Sequence, residues 1–269
     1  MKKIILLFIL ISLFIFPGSI MAQVTKVVKK NQIPILISET KYKKTDVIDT
    51  KTINKYKDNT DKLISSILYD NSGEIIEQTA VTYKGNEAIY ATSDKNGELL
   101  RSKKIISNSN GVILETIFYD FKGKQASKSV FKYNNDFSEK TKWEVYNSEN
   151  ELLSYNTYVY VNGKNTRSES YSSKGGMEEY FLFSYDKNGN MTESGHFDKS
   201  GKKISGTVFE YKNNVLVSEK IYKGEKTLLN EMSYDYSEKD GKKVERKTVK
   251  APDSTIIEII EKEFSFITQ

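Results

Sequence analysis

The run FSYDKNGNMTESGHFDKSG, residues 183–201, contains two copies of one short pattern. In each copy an aromatic residue, Tyr185 or Phe197, precedes a polar cluster that ends in Gly189 or Gly201. The Asp that opens the cluster can accept a hydrogen bond from the backbone two residues further on. Glycine can adopt the left-handed conformation that closes a bulged turn, where a Cβ atom would clash. We therefore expect each aromatic residue to end a strand and each cluster to close a β-hairpin.

The same pattern recurs along most of the chain. Its aromatic anchors alternate between steps of roughly 14 and 12 residues, which gives a period near 25, as from Tyr160 to Tyr185. A fixed period of this length indicates a repeat architecture whose unit is about two strands and two turns. The turn glycines that we expect in well-formed copies are Gly73, Gly97, Gly123, Gly189 and Gly201.

The segments between the turns have the character of strands. Apolar and polar residues alternate, as in TVFEY at residues 207–211, and the 18 Tyr and 13 Phe outnumber the 3 Pro. We predict an all-β protein of tandem antiparallel hairpins, with roughly 14 to 17 strands judged from turn spacing. The hairpins are expected to form one long twisted sheet that can curl on itself, and a closed β-barrel is the alternative.

The N-terminus is typical of a secretory signal peptide. Two lysines precede an apolar run at residues 4–16, and cleavage is expected after Ala22, before Gln23. An uncleaved membrane anchor is the alternative, although the run is shorter than the roughly 20 apolar residues of a bilayer span. The mature protein would then be exported to the periplasm, the cell surface or the medium, with no stable membrane span after cleavage.

The mature chain divides into two regions by regularity. Residues 23–61 contain no glycine and are expected to form an irregular N-terminal β cap, whereas residues 62–269 form the hairpin-repeat domain. The chain has no cysteine, which excludes a lipoprotein anchor, disulfides and thiolate chemistry. The net charge is +5 with interleaved signs, so no nucleic-acid partner is expected.

The copies at residues 119–123, 185–189 and 197–201 carry a family resemblance. At the level of Tyr-Asp-x-x-Gly followed by a strand, the chain resembles the YD repeats of Rhs-type proteins. It is also similar to the small exported β-repeat proteins of Bacteroidetes with YD or MORN-like hairpins. The resemblance implies a repetitive β-scaffold at the cell envelope and brings no catalytic residues.

Residues that could carry chemistry are few. His196 is the only histidine, so the usual zinc ligand sets and a His-based triad are not predicted. Carboxylates are abundant but alternate with lysines, as expected of solvated strand faces. We predict no catalytic residue, no cofactor and no metal site.

The aromatic residues are the remaining candidates for a function. Trp143, Tyr155 and Tyr158 could present ring faces to a sugar or a peptide, although alternation would place most such rings against the sheet. We therefore expect a non-enzymatic exported protein that binds or scaffolds a protein or a glycan at the envelope. The alternatives are an outer-membrane β-barrel, which needs an outward apolar band, and a hydrolase.

Overall fold

The computed structural model describes residues 32–43 and 47–268. The predicted signal peptide and the predicted cleavage site between Ala22 and Gln23 lie outside the described residues. No helix in the described ranges is long and apolar enough to cross a membrane.

The strands are β1 (Gln32–Lys43), β2 (Val47–Tyr56), β3 (Leu63–Tyr69), β4 (Ile75–Lys84), β5 (Glu87–Asp94), β6 (Leu99–Ser107), β7 (Ile113–Tyr119), β8 (Gln125–Tyr133), β9 (Lys140–Tyr146), β10 (Leu152–Val161), β11 (Lys164–Ser172), β12 (Met177–Tyr185), β13 (Met191–Asp198), β14 (Lys203–Lys212), β15 (Val215–Lys223), β16 (Thr227–Lys239), β17 (Lys242–Lys250) and β18 (Ile256–Thr268).

These strands form one closed barrel. Each strand pairs antiparallel with the strands before and after it in the chain, and β1 pairs with both β2 and β18. The all-β class and the array of hairpins are therefore confirmed, with the barrel, the alternative architecture, as the form adopted. Closure satisfies the backbone groups that the two edges of an open sheet would leave unpaired.

The seam of the barrel is the long pairing between its first and last strands. It runs from Gln32 opposite Thr268 to Lys43 opposite Glu258, with a shift of register between Leu36 and Ser38. β1 and β2 come from the segment expected to form an N-terminal cap. In the structure both strands lie in the same wall as the repeats, because their free edges pair with β18 and β3.

The turns show why glycine recurs at fixed places. At the turn after β13 the Gly201 N–H donates to the Asp198 carbonyl at 3.0 Å, and Gly201 has φ of +87°. The Asp198 carboxylate accepts from the N–H groups of Ser200 and Lys202 at 2.9 and 3.0 Å. The other expected turn glycines also have φ between +74° and +86°, namely Gly73, Gly97, Gly123 and Gly189.

Replacing Gly201 with Ala should lower the free energy of unfolding by about 1 kcal/mol, because a Cβ is strained at this φ. Gly176, in the turn before β12, is a matched control: its φ is not in the left-handed region, and an added Cβ would meet only Ser172 Oγ at 3.6 Å. Urea midpoints of the two variants give the comparison. Equal losses for Gly201→Ala and Gly176→Ala would contradict the explanation from backbone conformation.

Candidate functional site: the inner wall of the barrel

The two faces of the wall differ in crowding. Register places Asn156 and Ser168 on one face, and Val159 on the other. Ser168 is 1% exposed, whereas Val159 is 47% exposed. The concave side of a closed wall is the more crowded side, so the face that carries Asn156 and Ser168 lines the interior. Within the described ranges, strands contact only their hydrogen-bonded neighbours, so no strand packs across the lumen.

The inner wall is rich in aromatic side chains. Trp143 on β9 lies opposite Asn156 and stacks on Phe131 of β8, with ring centroids 6.1 Å apart. Phe181 on β12 stacks on His196 of β13 at 4.4 Å. Such pairs present ring faces and edges beside the small polar side chains of neighbouring strands. This surface can pack against the C–H face of a sugar ring or against a peptide side chain.

Three tyrosines repeat one contact at the same rim of the barrel. Tyr83, Tyr133 and Tyr185 lie at or next to the last position of an even-numbered strand. Each hydroxyl donates to a carbonyl 20 residues earlier in the chain, at 3.0, 2.8 and 2.7 Å. Burial raises the pKa of all three, to about 12 for Tyr83. These hydroxyls are therefore neutral donors that tie each hairpin to the previous one, a structural use of the repeat.

His196 is held in place by two neighbours. Its Nε2 lies 2.8 Å from Glu179 Oε2, and its ring stacks on Phe181. The sequence analysis predicted neither a zinc site nor a triad at this histidine, and no local motif indicated its pairing with Glu179 across β12 and β13. One histidine bound to one carboxylate does not make a metal centre, and no group of three possible metal ligands occurs within residues 32–43 and 47–268.

A second inner cluster contains buried charges on β15 to β18. Burial raises the pKa of Glu219 and of Glu245, and it lowers the pKa of Lys247. Lys262 bridges part of the cluster, with Nζ 3.9 Å from Glu245 and 3.8 Å from Glu39. Sequence reasoning missed this cluster, because alternating Lys and Glu were interpreted as a solvated face.

A raised carboxyl pKa is also a feature of catalytic acids. Catalysis further requires a cleft in which the carboxyl can reach a substrate. The two recesses of the barrel described below are not lined by Glu219 or Glu245. Glu219 and Glu245 belong instead to a network of buried charges that includes Lys247 and Lys262.

The outer wall carries ion pairs between neighbouring side chains, with exposed apolar residues such as Ile89, Leu182 and Val208 among them. Its aromatic residues are flanked by cations, as where Arg167 lies 4.3 Å above the Tyr180 ring. Charged side chains therefore interrupt the apolar residues at the middle of the strands on this face. The pairs join Lys104 to Glu87, Lys142 to Glu144, Arg167 to Glu169, Lys220 to Glu210 and Arg246 to Glu261, at N–O distances of 2.7–3.3 Å.

The predicted aromatic surface is divided between the two faces. Register places Trp143 and Tyr158 on the inner wall, opposite Asn156 and Ser168. Tyr155 lies on the outer wall, where its ring stacks on Tyr171 at 4.8 Å. The three residues therefore do not form one surface, and the inner pair remains as the candidate for ligand contact.

Two recesses stand out in the described part of the wall, residues 32–43 and 47–268. The larger, about 520 Å³, lies on the inner side of β3 to β7 and is lined by Thr79, Tyr90, Lys103 and Phe118 among others. The smaller, about 350 Å³, lies on the outer wall where Gly206 leaves space beside Lys203. Lys203 lines this outer recess, and its ammonium is already paired with Glu193 at 2.9 Å. The inner recess is therefore the better candidate for a guest molecule.

Comparisons with known proteins give architectural neighbours only. No protein-family model matches the chain, and no curated protein matches it. A porin-like protein from Bacteroides uniformis is 10% identical, with a TM-score of 0.43, and the match covers 86% of this chain and 97% of that one. A porin-like protein from Bacteroides vulgatus is 12% identical, with a TM-score of 0.38 and coverage of 86% and 98%.

A third match, the TcdB2-TccC3 structure, is 9% identical with a TM-score of 0.20, and covers 75% of this chain and 15% of that one. Similarity as low as this does not identify a function. A repeated β-hairpin fold is what the structure supports of the family resemblance. Membership of the YD or MORN-like proteins stays a prediction. The chain resembles porin-like β-barrels of Bacteroides in solved structures, and no protein family is assigned to it.

Proposed function

We propose that this protein is an exported, non-enzymatic barrel of the cell envelope that holds a glycan against its aromatic inner wall. The observation that carries the proposal is the composition of the inner wall between β8 and β13. The stacked pairs Phe131–Trp143 and Phe181–His196 face the lumen there, beside small polar side chains such as Asn156 and Ser168. An ion-paired wall is stable in water, and an aromatic wall with polar neighbours suits a sugar ring.

The outer-membrane β-barrel is the second candidate, and the closed wall is the observation that favours it. A bilayer accepts β-structure only when every backbone group is paired, as in this edge-free barrel. A membrane barrel also needs an outward apolar band at the middle of its strands. Charged pairs such as Arg246–Glu261 occupy that position here. This difference leads us to place the outer wall in water.

Cell fractionation separates the two candidates. We expect the processed protein to be released with the periplasm or the medium and to stay monodisperse without detergent. A protein that stays with the membrane through salt and carbonate washes, and needs detergent for extraction, would support the membrane barrel instead.

The single tryptophan supplies a direct test of lumen binding. Trp143 is the only Trp of the chain and lies on the inner wall, so its emission should change when a glycan enters. We expect titration with oligogalacturonate to shift this emission, and Phe131→Ala, which removes the stacked partner, to weaken binding several-fold. Tyr155→Ala on the outer wall is the matched control. Weaker binding in Tyr155→Ala alone would place the glycan outside the barrel and contradict the proposal.

A further inference from the structure

The inner recess has a composition that distinguishes it from the rest of the inner wall. The register of the sheet brings six inner residues of five neighbouring strands next to one another. The aligned inner residues are Ser66 on β3, Thr79 on β4, Tyr90 and Thr92 on β5, Lys103 on β6 and Phe118 on β7. With Arg101, which also lines the recess, the surface combines hydroxyl groups, two aromatic rings and two cations around about 520 Å³, within the range of small-ligand sites.

One cation of this recess has no anionic partner within the described part of the chain. Lys103 Nζ lies 4.4 Å from the centroid of the Tyr90 ring, and no carboxylate there forms an ion pair with it. Burial lowers the pKa of Lys103. A desolvated ammonium that contacts only a ring face is less well compensated than one paired with a carboxylate.

The other cation at the recess is already neutralised. Arg101 donates to both carboxylate oxygens of Glu77, with Nη1–Oε1 at 3.0 Å and Nη2–Oε2 at 2.6 Å. This bidentate pair lowers the pKa of Glu77 and fixes the guanidinium. The residues paired with Lys103 across the sheet are Tyr90 and Phe118, neither of which is acidic. Lys103 is therefore the uncompensated charge of the recess.

We propose that this recess binds a carboxylate-bearing sugar unit of an acidic glycan. The Lys103 ammonium would pair with the carboxylate, and Tyr90 and Phe118 would flank the ring. The hydroxyls of Thr79 and Thr92, which are 2.8 Å apart, provide donors and acceptors for the sugar hydroxyls. This inference rests on the proposed lumen binding and adds the charge of the ligand to it.

Two glycans of the same backbone provide the test. Hexagalacturonate carries carboxylates, and its fully methyl-esterified form does not. Calorimetric titration of the processed protein should give at least tenfold tighter binding for the acid, since a charge-assisted hydrogen bond is roughly twice as strong as a neutral one. The preference should fall as salt rises, because ion pairing is screened.

A pair of neighbouring lysines supplies the matched control. Lys103→Gln should lower the affinity for the acid far more than the affinity for the ester and so remove the preference for the acid. Lys103→Arg, which keeps the charge, should keep most of that preference. Lys104 points outward and pairs with Glu87 at 3.3 Å, so Lys104→Gln should change neither affinity. Melting temperatures within a few degrees of the parent protein would show that the variants are folded.

The outcomes separate this inference from the proposed function. If the processed protein binds acid and ester equally, or if Lys103→Gln keeps the preference for the acid, the acidic-glycan inference is wrong and glycan binding in the lumen stands. If the protein binds neither glycan, the lumen-binding proposal itself is overturned.

Discussion

Replacing Phe264 with Ala should destabilise the barrel by about 3–5 kcal/mol, the usual cost of truncating a buried Phe. Phe264 is 2% exposed and lies on β18, opposite Leu36 on β1 and Lys243 on β17. Its ring therefore packs at the seam where the first and last strands meet. A cavity at this place removes packing from the pairing that closes the wall, so both stability and closure should suffer.

Urea unfolding followed by tryptophan fluorescence measures the loss of stability. Hydrogen exchange shows where in the barrel stability is lost. The amides of β1 should lose protection before those of β12 and β13. Phe121→Ala is the matched control, since Phe121 lies in a turn and is 62% exposed. Its effect should stay within about 0.5 kcal/mol. Similar losses in the two variants would show that burial at the seam does not decide stability.

Much of the barrel could be predicted from local sequence. The turn at Gly201 and the aromatic residue before it predict a hairpin, because a hairpin joins two strands that are neighbours in the sequence. Closure could not be predicted in this way. It depends on pairing between Gln32 and Thr268, at opposite ends of the chain, and on a register shift after Leu36 that no local motif marks. An array of hairpins is compatible with an open sheet until its two edges meet.

The distribution of side chains between the faces was only partly predictable. Alternation divides the residues of one strand between the two faces. Which residues of two different strands share a face depends on the register between those strands. Trp143 and Tyr155 are both odd-numbered, yet Trp143 pairs with Asn156 and so the two rings point to opposite sides. A bulge changes the alternation again near Lys140, which lies 4.7 Å from the inner Tyr158 ring. The inner recess combines strands β3 to β7, and its composition therefore depends on four successive registers.

A last prediction concerns acid stability and Glu144, whose side chain is 7% exposed on the outer wall. Burial alone would raise the pKa of Glu144, but hydrogen bonds from Lys142, Lys132 and Tyr146 outweigh it and hold the pKa at about 2. The folded pKa lies below the ordinary value, so the ionised carboxylate stabilises the fold above about pH 4.5. This contribution should be lost as the pH falls from about 4.5 towards 2. Its size is on the order of 2–3 kcal/mol.

Glu144→Gln should therefore lower the free energy of unfolding at pH 7 by about 2 kcal/mol, since it leaves Lys132 and Lys142 close together without a carboxylate. The variant should also lose less stability than the parent protein between pH 4.5 and 2.5. Glu238→Gln is the matched control, because Glu238 pairs with Lys243 at an exposed position. Urea midpoints of the parent protein and of both variants, measured across this pH range, test the prediction. A parallel pH dependence of the parent and Glu144→Gln would mean that the two lysines do not hold this carboxylate ionised, and that the outer ion pairs contribute little to the wall in water.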